Sequence, residues 1–144
     1  MVKAVVTGAG GRMGGRIITL ISAVKDIRVV GAVEQKGHAL AGKDVGEALG
    51  LGATGVRIDD DLGACIEKGD VVIDFTNHEA SLRHLELAAK KKRAIVIGST
   101  GFTAEEMKKA ARLSKKTRCV LAPNMSVGVN VLFKVLDDVA RILG

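Results

Sequence analysis

Val2–Gly14 reads VKAVVTGAGGRMG, and this stretch decides the fold. Val2–Thr7 is an apolar, β-rich run that ends on glycines, and an amphipathic stretch follows at once. Met13, Ile17, Ile18, Leu20, Ile21 and Val24 recur there at helical spacing, which predicts a helix over Arg12–Val24. Strand, glycine turn and helix in that order form the context in which a glycine motif carries meaning. Glycine serves where the backbone takes positive φ and where a Cβ would strike a pyrophosphate. The helix start adds free N–H donors and the positive end of a dipole. The spacing is not GxGxxG, because Met13 stands where the last glycine would be; it is GxxGxxG through Gly8, Gly11 and Gly14. Arg12 is placed to pair with phosphate, whereas Met13 reads as core packing.

The next strand candidate, Arg28–Val33, ends at Glu34, 20 residues beyond Gly14. A carboxylate there is placed to accept from the adenosine ribose hydroxyls. Lys36 could instead meet a 2′-phosphate, so the pair predicts NADH with some tolerance for NADPH.

Downstream the alternation continues. A Gly-rich loop over Gly37–Gly55 holds a short helix at Asp44–Leu49, and a short strand is expected at Val56–Ile58. Asp59-Asp60-Asp61 opens an expected helix over Leu62–Lys68. Strands are expected at Val71–Ile73, Ala94–Ile97 and Arg118–Leu121, and helices over His78–Lys91, from Thr103 onward, and over Val127–Leu143. Thr103 followed by Glu106 is a capping-box signature. The pattern predicts an α/β fold: a Rossmann-type doubly wound parallel sheet with helices on both faces. Residues 1–126 would be the dinucleotide-binding unit and 127–144 a helix leading out of it.

In such a sheet ligands bind beyond the carboxyl ends of the strands. Three segments follow from that rule: Asp74-Phe75-Thr76, Gly98-Ser99-Thr100-Gly101-Phe102, and Ala122-Pro123-Asn124-Met125-Ser126. Gly98 and Gly101 let backbone amides come close, and Asn124 could bond a carboxamide. His38, His78 and His84 are scattered, none beside an evident partner, and read as surface residues. No catalytic acid–base set and no metal cluster can be assembled.

Composition bounds the function. With 144 residues, 47% of them hydrophobic and 26% charged, the chain has the makeup of one globular domain. Three Phe and no Trp or Tyr leave the core to aliphatic residues, which suits strands buried on both faces. The same scarcity argues against single-stranded nucleic acid as a partner, since stacking platforms are missing. The net charge of +6 comes partly from lysine clusters at Lys90–Arg93, Lys108-Lys109 and Lys115-Lys116, read as the solvated last turns of helices. Cys65 and Cys119 read as buried, reduced thiols. No apolar run approaches the roughly 18 residues of a membrane span, so the expectation is a cytoplasmic protein without a membrane partner.

Four segments occur in order: GAGGRMG (Gly8–Gly14), VIDFT (Val72–Thr76), VIGSTGF (Val96–Phe102) and APNMSVGVN (Ala122–Asn130). Together they resemble the amino-terminal half of the 4-hydroxy-tetrahydrodipicolinate (dihydrodipicolinate) reductases. The resemblance implies an NADH- or NADPH-dependent reductase of the diaminopimelate route to lysine. By the same resemblance Gly8, Ala9, Gly10, Gly11, Arg12 and Met13 would hold the pyrophosphate, and Glu34 the adenosine ribose. Gly98, Ser99, Thr100, Ala122, Pro123, Asn124 and Met125 would line the nicotinamide, and the strand-end rule adds Phe75 and Thr76 to the cofactor site. Gln35 stands where the family often has Arg, and Ser99 where Thr is more usual. The family's dicarboxylate substrate is handled by a second domain with a His-His and Lys motif and a Ser-Gly-Thr run, none of which occurs here. Full-length members are homotetramers, chiefly through that second domain. This chain would therefore bind cofactor without turning over substrate. A stand-alone dinucleotide sensor and a relative of the aspartate or homoserine dehydrogenases are the other readings.

Overall fold

The computed structural model describes residues 1–144. Six strands form one parallel sheet: β1 (Val2–Thr7), β2 (Ile27–Val33), β3 (Ile58–Asp59), β4 (Val71–Asp74), β5 (Ala94–Ile97) and β6 (Cys119–Leu121). Their order across the sheet is β3-β2-β1-β4-β5-β6. All five pairings are parallel. The five helices are α1 (Arg12–Ser22), α2 (Val45–Ala48), α3 (His78–Lys91), α4 (Ala104–Ser114) and α5 (Val127–Leu143). The doubly wound expectation holds, and the strand order reverses between β1 and β4, where a crevice must open at the carboxyl edge.

Side chains alternate across the pleat, so the central strands β1, β2 and β4 feed two cores. On one face Val5, Val33, Val72, Ile95 and Ile97 pack with Leu62, Ile66 and Leu85. On the other Ala4, Val6 and Ala32 pack with Ile18, Ile21, Val45 and Ile58. Ala4, Val5, Val6 and Thr7, the last four residues of β1, are all fully buried, as a parallel strand covered on both faces requires.

Several expectations are corrected here. Leu62–Lys68 is not an α-helix but two short 3₁₀ turns, Leu62–Ala64 and Ile66–Lys68. Asp61 caps only the first of them, through Gly63 N–H, and Cys65 breaks the pair, so no helical run is propagated. The strand expected at Val56–Ile58 is Ile58–Asp59. Met13 is 50% exposed rather than core, because it sits on the outer side of the first turn of α1. Cys65 is buried but Cys119 only half-buried. Lys108 and Lys109 lie in the middle of α4 rather than its last turn. Helix α5 buries none of its residues, although it carries Val131, Leu132, Phe133, Val135 and Leu136. No helix is long and apolar enough to cross a membrane.

Candidate functional site

A cleft of about 660 Å³ opens at the carboxyl edge between β1, β2 and β4. Its base is the Gly8–Gly11 turn, and Thr7, at the end of β1, also lines it. Gly8 has φ +71°, a conformation that a side chain would strain. A Cβ on Gly14 would overlap the Gly8 carbonyl, so the third glycine of GxxGxxG lets the helix sit tight on the turn. A Cβ on Gly10 would come within 2.9 Å of both His38 and Leu40.

Four helices begin with a side-chain cap: Asp44 for α2, Asn77 for α3, Thr103 for α4 and Ser126 for α5. Helix α1 has none; its N-cap is Gly11. The N–H groups of Gly10, Arg12 and Met13 find no acceptor in the protein. Those donors and the helix dipole suit an anion. Ala9 is different, since it is fully buried and its N–H bonds the Val33 carbonyl at 3.1 Å. Its part in the turn is therefore structural. The Thr7 hydroxyl is buried without a partner beneath the cleft floor.

Glu34 follows β2 and its side chain is only 11% exposed. Its Oε2 lies 3.8 Å from His38 Nε2. His38 Nδ1 in turn accepts from Leu40 N–H at 3.2 Å, which leaves the ring's proton on the side facing Glu34. Gln35, Lys36 and His38 line the same end of the cleft.

The opposite wall is built around Asp74, the last residue of β4, which is fully buried. Oδ1 accepts from Thr76 N–H (3.0 Å), Thr76 Oγ1 (2.6 Å) and Ser81 Oγ (3.1 Å), and Oδ2 accepts from His84 Nδ1 at 2.7 Å. Burial pushes this carboxyl up, but the bonds from His84 and Thr76 outweigh it and hold it below the usual carboxylate range. His84 is thus no surface residue: its side chain is 18% exposed and faces the cleft. His78 is also engaged, with Nδ1 at 3.0 Å from both carboxylate oxygens of Glu106. The expectation that the histidines lack partners is overturned for all three.

The family profile described as "Dihydrodipicolinate reductase, N-terminus" matches residues 2–125. The chain belongs to the dihydrodipicolinate reductases, matching their amino-terminal part. It is similar to the 4-hydroxy-tetrahydrodipicolinate reductase of Syntrophus aciditrophicus, 58% identical over 144 residues, covering all of this chain and 54% of that one. The enzyme of the same name from Geotalea uraniireducens is also 58% identical, with the same coverage. The chain thus spans about half the length of these relatives. In fold it is similar to a dipicolinate-bound dihydrodipicolinate reductase from Paenisporosarcina sp. TG-14, with TM-score 0.75, 23% identity, and coverage of 94% of this chain and 52% of that one. A biliverdin reductase from Synechocystis sp. PCC 6803, solved with biliverdin and NADP+, shares the fold at TM-score 0.67 and 17% identity over 83% of this chain and 37% of its own.

Not every segment carrying the dihydrodipicolinate reductase resemblance reaches the cleft. Gly8, Gly10, Gly11, Glu34, Phe75 and Thr76 line it. Arg12 and Met13 lie outside on the exposed start of α1. Gly98, Ser99, Thr100, Ala122, Pro123, Asn124 and Met125 sit further along the same edge, beyond β5 and β6. A Cβ on Gly98 would overlap the Phe75 ring, so this glycine seats Phe75 across the two loops. Ser99 is 6% exposed and hydrogen-bonds Ser81 Oγ at 2.7 Å, which turns its hydroxyl inward. Asn124 Oδ1 accepts from Ser126 N–H at 2.8 Å, which leaves its amide N–H₂ for other partners. Sequence reasoning missed Asp74 as a hub, and with it His84, Ser81 and the His38–Glu34 pair.

Proposed function

We propose that this chain is the NAD(P)H-binding half of a reductase that converts the dihydrodipicolinate precursor to tetrahydrodipicolinate. The observation that carries the reading is the cleft itself. It joins an uncapped helix start and a glycine turn at one point to a recessed carboxylate, Glu34, at the other. A dinucleotide has that pattern of chemistry, with a pyrophosphate for the open N–H groups and ribose hydroxyls for the carboxylate. The residues fit the group: Gly10, Arg12 and Met13 would supply backbone donors to the pyrophosphate, and Glu34 would accept from the ribose. Arg12 would add charge from the rim.

When bound, the nicotinamide supplies the hydride. This chain's own residues bind and orient. Phe75 and Thr76 close the cleft at the β4 end, and Gly98–Thr100 with Ala122–Met125 form the next stretch of the edge, where the nicotinamide would lie. Residues 1–126 would act as the cofactor unit. Helix α5, with its uncovered apolar residues, would lead toward the part of the enzyme that handles the dicarboxylate. Its relatives are about twice as long, and the full enzyme would be a cytoplasmic homotetramer. The chain alone should bind dinucleotide and reduce no substrate.

Glu34 disfavours a 2′-phosphate, and Gln35 brings no cation; Lys36 at the same end makes NADPH tolerable. NADH is the expected preference. Titrating the 144-residue chain with NADH and NADPH, read by nicotinamide fluorescence, tests the reading. Saturable binding with NADH equal or tighter supports it; no binding of either nucleotide, or turnover by the chain alone, contradicts it.

A further inference from the structure

The wall of the cleft opposite Gln35 and Lys36 is one face of helix α3. Ala80, Arg83, His84 and Leu87 all line it, at the i, i+3, i+4, i+7 spacing of a single helical stripe. If Glu34 holds the adenosine ribose, the base beyond that ribose lies between the tail of β2 and this stripe. His84 is the member that can read a base. Its Nδ1 is tied to the Asp74 carboxylate at 2.7 Å, and a carboxylate can only accept, so Nδ1 carries the proton. In the neutral ring Nε2 then bears a lone pair. It has no partner in the protein and is not among the buried unpaired atoms, so it stays open to the cleft.

From this geometry we infer that His84, held by buried Asp74 in the Nδ1–H tautomer, selects a 6-aminopurine by accepting a hydrogen bond from its exocyclic amine. The inference rests on the dinucleotide reading above and deepens it. His84 is the group that meets the ligand; Asp74 is a positioning residue that acts through it. A base with a carbonyl at the same carbon presents an acceptor to an acceptor and is rejected, as buried polar mismatches are.

The Asp74→Asn substitution makes a sharp prediction, because the new amide can be oriented only one way. Thr76 N–H points at Oδ1 at 3.0 Å, so the amide oxygen must stay there, and the amide N–H₂ takes the Oδ2 position facing His84. Nδ1 must then accept, which moves the ring proton to Nε2. The cleft now presents a donor, suited to a 6-oxopurine.

The experiment compares NADH with its hypoxanthine analogue, reduced nicotinamide hypoxanthine dinucleotide, on the 144-residue chain and its variants. The wild-type chain should bind NADH about five to ten times more tightly than the analogue, the factor expected of one hydrogen bond. His84→Ala should bring the ratio near one, mainly by weakening NADH. Asp74→Asn should bring it to one or below. A merely structural role for either residue would weaken both ligands alike and leave the ratio unmoved. Because Asp74→Asn could fail to fold, the tautomer is also read directly on wild-type protein, by two-bond ¹H–¹⁵N correlation of the imidazole. A proton on Nε2 in the wild type, in the Nε2–H tautomer or in a doubly protonated ring, or equal binding of the two nucleotides, overturns this inference while leaving the dinucleotide reading standing. Failure to bind either nucleotide removes both.

Discussion

Gly14 sits directly against the carbonyl oxygen of Gly8, with no room for a Cβ between them. Gly14 lies in the first turn of α1 and Gly8 is the first residue after β1, so this contact fixes how closely helix follows strand. It also explains how a turn with Met13 in the place of the last GxGxxG glycine still works. The close approach has moved one residue along the helix.

Gly14→Ala should therefore force the turn and helix apart. Overpacking of this kind costs about 1–3 kcal/mol. Gly8→Ala should cost about 1–2 kcal/mol through its left-handed φ of +71°. Thermal unfolding by circular dichroism should show a lowered Tm for both. Gly11→Ala should be milder, since its Cβ would meet only the Gly8 carbonyl oxygen, at 3.2 Å, with a small adjustment. A Gly14→Ala protein as stable as the parent would show that the turn can relax freely.

That turn was legible from sequence because glycines at fixed offsets between an apolar run and a helical stripe have few other uses. Strands β1, β4 and β5 were legible for the same kind of reason, as short β-branched runs between breakers. The segment Leu62–Lys68 was not. Asp59-Asp60-Asp61 looks like an acidic helix start, yet Gly63 and Cys65 let the chain break into two 3₁₀ turns, which packing of Leu62 and Ile66 decides. The Asp74–His84 pair was invisible because its partners stand ten residues apart across a strand end, a loop and two turns of α3. No periodicity marks such a pair; only the fold brings it together.

On the proposed reading, Glu34 would set the preference between the two nicotinamide cofactors. Glu34→Ala should weaken NADH about tenfold, since a hydrogen bond to a charged group contributes about 1.5–3 kcal/mol. NADPH, whose 2′-phosphate the carboxylate would repel, should lose little or gain. The ratio of the two dissociation constants, from fluorescence titration at one salt concentration, is the measurement. An unchanged ratio would remove Glu34 from the ribose site.

Asp44 staples the loop before β3. Its carboxylate accepts from Gly46 N–H at 2.8 Å, Gly55 N–H at 2.7 Å, Thr54 N–H at 3.1 Å and the Thr54 hydroxyl at 3.0 Å. The bond from Thr54 N–H is the largest of the influences that lower its pKa from 3.8 to about 2. A carboxyl lowered on folding stabilises the native state above its unfolded value and loses that contribution as pH falls through the folded one. The staple should thus be intact above pH 4 and weaken between about 4 and 2. Asp44→Asn should be less stable at neutral pH and show a flatter stability profile across that window. Amide exchange at Gly46, Thr54 and Gly55 should speed up in the variant; unchanged protection there would show that the loop is held by other means.

Ser99 separates a packing role from a contact with cofactor. Its hydroxyl is turned inward onto Ser81 at 2.7 Å, and Ser81 in turn reaches the Asp74 carboxylate. Ser99→Ala removes one link of that chain while Ser81 keeps Asp74 as its acceptor, so no buried charge is left unpaired. The cost to stability should be about 0.5–1.5 kcal/mol, the usual worth of one hydrogen bond. NADH affinity should stay within about twofold, because the lost bond lies beneath the cleft rather than in it. Chemical denaturation and an NADH titration on the same protein give both quantities. If affinity falls far more than stability, Ser99 Oγ must rotate outward on binding, and the hydroxyl belongs to the nicotinamide side after all.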